Sequence, residues 1–192
     1  MKFLFGLILG LLITAAVGYG YFRFGYAPVA TSSAPMPFEK TLAKLALRAH
    51  IQKEATKAPP ISANEFNLTQ GAAVYAQNCA FCHGAPGQKT TMAAKGMFPL
   101  PPQLFAKEEM VTDDPVGATY WKVSNGIRMT GMPGFAEMLT PTQIWQVSLL
   151  LANADKLPVQ VQSALAPPAQ LQNVKTDLKQ PVADQQQKKK KN

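Results

Sequence analysis

The sequence predicts an all-α protein. Apolar side chains recur at helical spacing in several segments, helix start and stop signals bracket those segments, and no alternating apolar and polar run is long enough for a β-strand. Long loops rich in glycine and proline are expected at 84–103 and 127–139.

The N-terminal element is predicted to be a membrane anchor, residues 1–22. Residues 3–22 contain no charged side chain and end in a cluster of aromatic residues, as at a membrane interface. A helix of this length measures about 30 Å, the thickness of the hydrocarbon core of a bilayer. A cleaved signal peptide is the alternative, although the apolar run is longer than is usual for one.

The next segment predicts a linker that contains one amphipathic helix. Residues 27–37 are rich in proline, alanine and serine and have too little apolar surface to fold. From 38 to 57, Leu42 and Leu45 share one stripe and basic residues another, and a Pro-Pro pair then ends the helix. We expect this helix to lie against a folded domain or act as a spacer, with docking to lipid head groups or a partner as the second interpretation.

The first helix of the folded domain is expected over residues 67–78. One face of this segment carries small and apolar side chains at i, i+3, i+4 and i+7, namely Leu68, Gly71, Ala72 and Tyr75.

Two further helices have recognisable N-termini. Asp114 as N-cap and Pro115 as the first helical residue open the second, which ends before Gly126. A capping box from Thr140 to Gln143 opens the third. The apolar face of that last helix consists of Ile144, Val147, Leu150 and Leu151.

The net charge of +8 lies outside the part of the chain predicted to fold. Residues 66–158 contain six basic and six acidic residues, whereas 23–65 contain six against three and 159–192 six against two. Composition thus indicates no basic face on the folded part, and we expect no nucleic-acid binding.

The predicted organisation has four parts: an anchor (1–22), a linker with its helix (23–65), a helical domain (66–158) and a disordered Lys-rich tail (159–192). Three short helices without a disulfide supply little core. We therefore expect a non-protein group at the centre of the domain.

Both cysteines of the chain lie in Cys79-Ala-Phe-Cys82-His83, which has the C-x-x-C-H spacing of a c-type haem attachment site. Two thiols so spaced at a helix end reach both vinyl groups on one porphyrin edge, and the adjacent histidine lies under the iron. A thioredoxin-like pair would require a βαβ setting. A structural zinc site would require a fourth ligand, and the other histidine, His50, lies beyond a Pro-Pro pair.

A second axial ligand is expected from the loop after the second domain helix. Met132 is preferred because glycines and a proline flank it and let the backbone approach a flat ring. Met129 is the lesser alternative, and His50 or an open site are the remaining ones. Methionine ligation raises the reduction potential and closes the iron to substrates.

These segments together resemble a class I c-type cytochrome of the small, membrane-anchored, monohaem bacterial kind. The resemblance covers about residues 66–158 and rests on CAFCHG, PPQL, NGIRMTGMPGF and IWQVSLLLA. It implies three or four helices wrapped on one covalently attached haem c, with the first and last helices crossing at a small residue and an aromatic. Gly71 and Tyr75 fit the first half of that crossing, whereas Leu150 stands where the family often has an aromatic.

The resemblance also implies a hydrogen bond that orients the proximal histidine. In a Pro-x-Leu element the proline carbonyl accepts the Nδ1 hydrogen of that histidine, and Pro102 and Leu104 match the element here. Such a bond would strengthen the donation of His83 to iron.

The function that the resemblance implies is one-electron transfer by an electron carrier rather than catalysis by an enzyme. The domain would lie in the bacterial periplasm, tethered to the inner membrane by a single span with Lys2 in the cytoplasm, and would shuttle electrons between unidentified redox proteins. A fixed haem relay in a membrane dehydrogenase or oxidase complex is the alternative. A haem enzyme or gas sensor with an open distal site is a third possibility.

Overall fold

The computed structural model describes residues 2–165. Over that range the chain forms eight helices and no strand, which confirms the all-α prediction. The helices are α1 Lys2–Arg23, α2 Glu39–Glu54, α3 Glu65–Asn78, α4 Ala80–His83, α5 Met92–Lys95, α6 Val116–Asn125, α7 Pro141–Ala152 and α8 Val159–Ala164. The predicted tail beyond residue 165 lies outside the described residues.

The chain divides into two compact units, Met1–His50 and Ile51–Asn192. In the first, α1 has 22 residues, none of them buried, and is long and apolar enough to cross a bilayer. A signal sequence near an N-terminus can also be long and apolar enough to meet this criterion. The predicted amphipathic helix is present as α2, and its apolar residues Leu42 and Leu45 are exposed.

The second unit is built on the crossing of α3 with α7. All four residues of the predicted α3 face are buried. At Gly71 the two backbones come so close that a Cβ there would lie 2.3 Å from the carbonyl oxygen of Gln146 and 3.2 Å from the Cβ of Leu150. Leu150, the departure from the family pattern, is thus the side chain that meets the small residue.

Helix α7 is buried over a wider surface than its pattern predicted. Every residue from 144 to 151 is buried, because α3 and α6 both pack against it. Tyr120 of α6 stacks on Trp145 with ring centroids 4.1 Å apart. The predicted capping box of Thr140 and Gln143 is present at its N-terminus.

The predicted start of α6 is wrong by one residue, since the helix begins at Val116 and not at Pro115. Pro115 is the N-cap with an extended ψ of 130°, and Asp114 pairs with Lys122 at 3.0 Å instead of capping the helix. The first turn lies directly against another backbone segment, since a Cβ at Gly117 would come within 2.6 Å of the carbonyl oxygens of Ala55 and Lys57. This long-range contact positions the helix start.

The boundary predicted at residue 159 is also wrong, because the folded unit continues to residue 165 at least. Helix α8 packs on α3 and buries Val161, and Leu165 after it is 2% exposed. With Leu157 these residues recur every four positions, a helical stripe that the Gln-rich composition obscured.

Candidate functional site

The cysteine motif forms a single helical turn directly after α3. Cys79 ends α3, donating its N–H to the carbonyl of Tyr75 at 2.9 Å, and also begins α4. Its own carbonyl accepts the N–H groups of Cys82 at 3.1 Å and His83 at 2.9 Å. Residues at i, i+3 and i+4 share one side of a helix, so both thiols and the imidazole lie on the same side of this turn.

The environment of Cys79 does not suit a reactive thiol. Burial, with a smaller contribution from Cys82, raises the pKa of Cys79 to about 12. Dithiol redox cysteines work with a lowered pKa, because the thiolate is the nucleophile. Both cysteines are half-buried and neither is in a disulfide. The raised pKa of Cys79 is therefore unlike that of a dithiol redox pair.

His83 is held by the carbonyl of Pro102. The distance between Nδ1 of His83 and that oxygen is 2.8 Å, so Nδ1 carries the hydrogen and Nε2 keeps its lone pair. Burial lowers the pKa of His83, and the bond to Pro102 opposes this shift. A neutral imidazole with a free Nε2 is the form that binds a metal ion.

The turn after His83 is fixed by Tyr75 and Gln103. Gly84 has a φ of +73°, and a Cβ there would lie 2.6 Å from Oε1 of Gln103. The buried hydroxyl of Tyr75 donates to the carbonyl of Gly84 at 2.7 Å, and burial raises the pKa of Tyr75 well above its usual range. Phe105 packs edge-on against the Tyr75 ring at 5.0 Å. The resemblance placed Tyr75 at the crossing of the first and last helices and predicted only packing for it. Its hydrogen bond to Gly84 was not predicted.

The loop of residues 127–139, called the methionine loop because it contains Met129 and Met132, folds back on the end of α6. The N–H of Phe135 donates to the carbonyl of Val123 at 2.9 Å. A Cβ at Gly134 would lie 2.8 Å from the carbonyl carbon of Asn125, and Gly126 has a φ of +70°. Gly134 therefore serves the close contact between two backbone segments.

The two candidate methionines are in different environments. Met132 is half-buried and packs against the core, and its carbonyl accepts the N–H of Ile127 at 3.2 Å. Met129 has a φ of 61° and is 90% exposed. Met97, which the sequence did not single out, lies beside the loop, with its Sδ 3.0 Å from where a Cβ of Gly131 would be.

The residues present fit a covalently bound haem. Two thiols and one imidazole share a side of α4, and the half-buried Met132 lies in a loop fastened to α6. Nε2 of Gln103 is buried and has no partner among the described residues, so a donor beside the histidine is unused. Within residues 2–165, no three His, Cys, Asp or Glu side chains are grouped as ligands of a bare metal ion.

Comparison with known proteins finds one family that part of the chain matches. Residues 66–149 match the family model described as "Cytochrome C oxidase, cbb3-type, subunit III". This range is less than half of the chain, but it includes the cysteine turn, the Pro102 loop, the methionine loop and most of α7. No curated protein matches the chain.

Proposed function

We propose that this chain, a c-type cytochrome with an N-terminal apolar helix, is a tethered one-electron carrier with one haem c. A c-type cytochrome domain carries haem c and mediates electron transfer.

Four side chains are assigned to the haem. Cys79 and Cys82 would hold it through thioether bonds, His83 would bind the iron through Nε2, and Met132 would bind it through Sδ. The bound group supplies a one-electron Fe(III)/Fe(II) couple. His83 is held in one orientation by Pro102, and the loop that contains Met132 would help to exclude water from the group, so the ligands would rearrange little when the charge changes.

The observation that carries this proposal is that Cys79, Cys82 and His83 lie on the same side of one helical turn, with His83 oriented by its hydrogen bond to Pro102. The test is the mass and the spectrum of the full-length protein, made in cells that attach c-type haem. One covalent haem should survive denaturation, and Cys79→Ala with Cys82→Ala should remove it without removing the polypeptide. Haem that is extracted by acid from the unmodified protein would overturn the assignment.

The tether is assigned to residues 1–50, which is shorter than the predicted 1–65 because the backbone at residues 55 and 57 already packs against Gly117 in the second unit. In this assignment helix α1 spans the inner membrane, and the segment up to residue 50 links it to a domain on the periplasmic side. A flexible linker lets the domain reach a donor and an acceptor at a raised effective concentration. Protease added to spheroplasts should release the haem domain, and the N-terminal sequence of the membrane-bound protein should begin at or near Met1. Recovery of a processed chain in the soluble periplasmic fraction would contradict the anchor.

A second function is a fixed haem relay inside a membrane oxidase complex. The description of the matching family, an oxidase subunit, favours it. Solubilisation in mild detergent separates the two functions. A lone haem protein supports the shuttle, whereas stoichiometric co-purification with an oxidase core supports the relay.

A further inference from the structure

We propose that Glu109 tunes the axial histidine through the peptide group that joins Pro102 to Gln103. The inference rests on the proposed role of His83 as an iron ligand. It concerns a residue 26 positions away in the chain, to which no motif draws attention.

The two hydrogen bonds of this relay use the two ends of one amide. The carbonyl of Pro102 accepts the hydrogen of His83 Nδ1 at 2.8 Å. The N–H of Gln103, which belongs to the same peptide group, donates to the carboxylate of Glu109. Imidazole, peptide and carboxylate thus form one continuous chain of hydrogen bonds.

Two successive turns hold Glu109 in place. The N–H of Ala106 donates to the carbonyl of Gln103 and the N–H of Glu109 to the carbonyl of Ala106, each at 2.8 Å. Leu104 is buried in the core and Phe105 packs on the ring of Tyr75. Residues 102–109 are therefore held against the core by Leu104 and Phe105. The two turns place the Glu109 carboxylate beside the Pro102–Gln103 peptide group, whose carbonyl contacts His83.

The direction of the effect follows from polarisation. A negatively charged acceptor at the N–H pushes electron density of the peptide group toward its carbonyl oxygen, and chained hydrogen bonds strengthen one another by about 10–30%. A stronger acceptor at Pro102 gives the imidazole more anionic character and makes it a better donor to iron. Better donation stabilises Fe(III), so the carboxylate lowers the reduction potential.

Direct attraction between the Glu109 carboxylate and the iron would be a separate effect, and a substitution at the neighbouring Glu108 controls for it. Glu108 and Glu109 are both exposed, and solvent screens their charges. The side chain of Glu108 makes no hydrogen bond to another described residue. Glu108→Gln therefore removes the same charge from the same loop without touching the relay.

The experiment compares Glu109→Gln, Glu108→Gln and unmodified full-length holoprotein in detergent. In Glu109→Gln the neutral amide can still accept the hydrogen bond, so the loop keeps its shape while the polarisation weakens. At a fixed ambient potential, the ratio of reduced to oxidised protein should rise about twofold in Glu109→Gln. In Glu108→Gln it should stay within the error of the titration.

A second measurement follows the relay itself. In the reduced, diamagnetic protein the proton resonances of His83 Nδ1–H and the Gln103 amide should move upfield in Glu109→Gln, because both hydrogen bonds weaken. Equal changes in the two variants, or an unchanged His83 resonance, would overturn the relay. Absence of covalent haem from the unmodified protein would instead overturn the proposed function, so the two failures are distinct.

Discussion

Replacing Gly71 with alanine should push apart the two helices at the centre of the domain. A Cβ at this position would lie 2.3 Å from the carbonyl oxygen of Gln146, 2.7 Å from its carbonyl carbon and 3.2 Å from the Cβ of Leu150. The first two are backbone atoms of α7, which no change of rotamer can move. The helices must separate by about 1 Å to reach ordinary van der Waals contact.

Two opposing contributions set the size of the effect. Alanine is the better helix former by about 1 kcal/mol, which on its own would stabilise α3. Overpacking of a well-filled contact costs about 1–3 kcal/mol, and the upper end applies where backbone meets backbone. We therefore expect Gly71→Ala to lower the free energy of unfolding by about 2 kcal/mol.

The assay is urea unfolding of the full-length holoprotein in detergent, followed by tryptophan emission, because both tryptophans lie in the second unit. Ala76, exposed on the same helix, provides the control. Ala76→Gly makes the opposite substitution at an exposed position. It should lower the free energy of unfolding by about 1 kcal/mol through helix propensity alone. A Gly71→Ala protein as stable as the unmodified one would refute the close crossing.

Three further predictions test other parts of the structure. Met132→Ala should lower the reduction potential and change the ferric spectrum, while the exposed Met129→Ala leaves both unchanged in the same redox titration. Tyr75→Phe leaves the carbonyl of Gly84 unsatisfied and should cost about 1–3 kcal/mol in urea unfolding at pH 7. Burial raises the pKa of Tyr75, so above pH 10 the hydroxyl stays protonated in the folded state and is ionised in the unfolded state, where its pKa is the ordinary 10.0. The free energy of unfolding should therefore fall as pH rises beyond 10, and this fall should be less steep in Tyr75→Phe. Leu165→Ala should cost about 2–4 kcal/mol in thermal or urea unfolding if α8 belongs to the core, and almost nothing if the folded unit ends at residue 158.

Features that depend on neighbours in the chain were predictable. The capping box at Thr140 and Gln143 works within a single turn, so its residues suffice to place the start of α7. The buried face of α3 follows from helical periodicity alone. The all-α class rests on such local signals, and the structure confirms it.

Features set by distant contacts were not predictable. The start of α6 depends on backbone at residues 55 and 57 against Gly117. Helix α8 is stable because α3 offers it an apolar surface, a partner that composition does not reveal. Gly134 is needed for a contact with the end of α6, which its neighbours in the sequence did not indicate.

The sequence by itself determined the chemistry of the site, because Cys79, Cys82 and His83 lie within one helical turn and their spacing alone suits haem attachment. Only the tertiary structure decided what surrounds that chemistry. Burial of Leu104 holds the loop that brings one peptide group between His83 and Glu109. Such a juxtaposition depends on how a long loop is anchored in the core, so it leaves no local pattern from which it could be read.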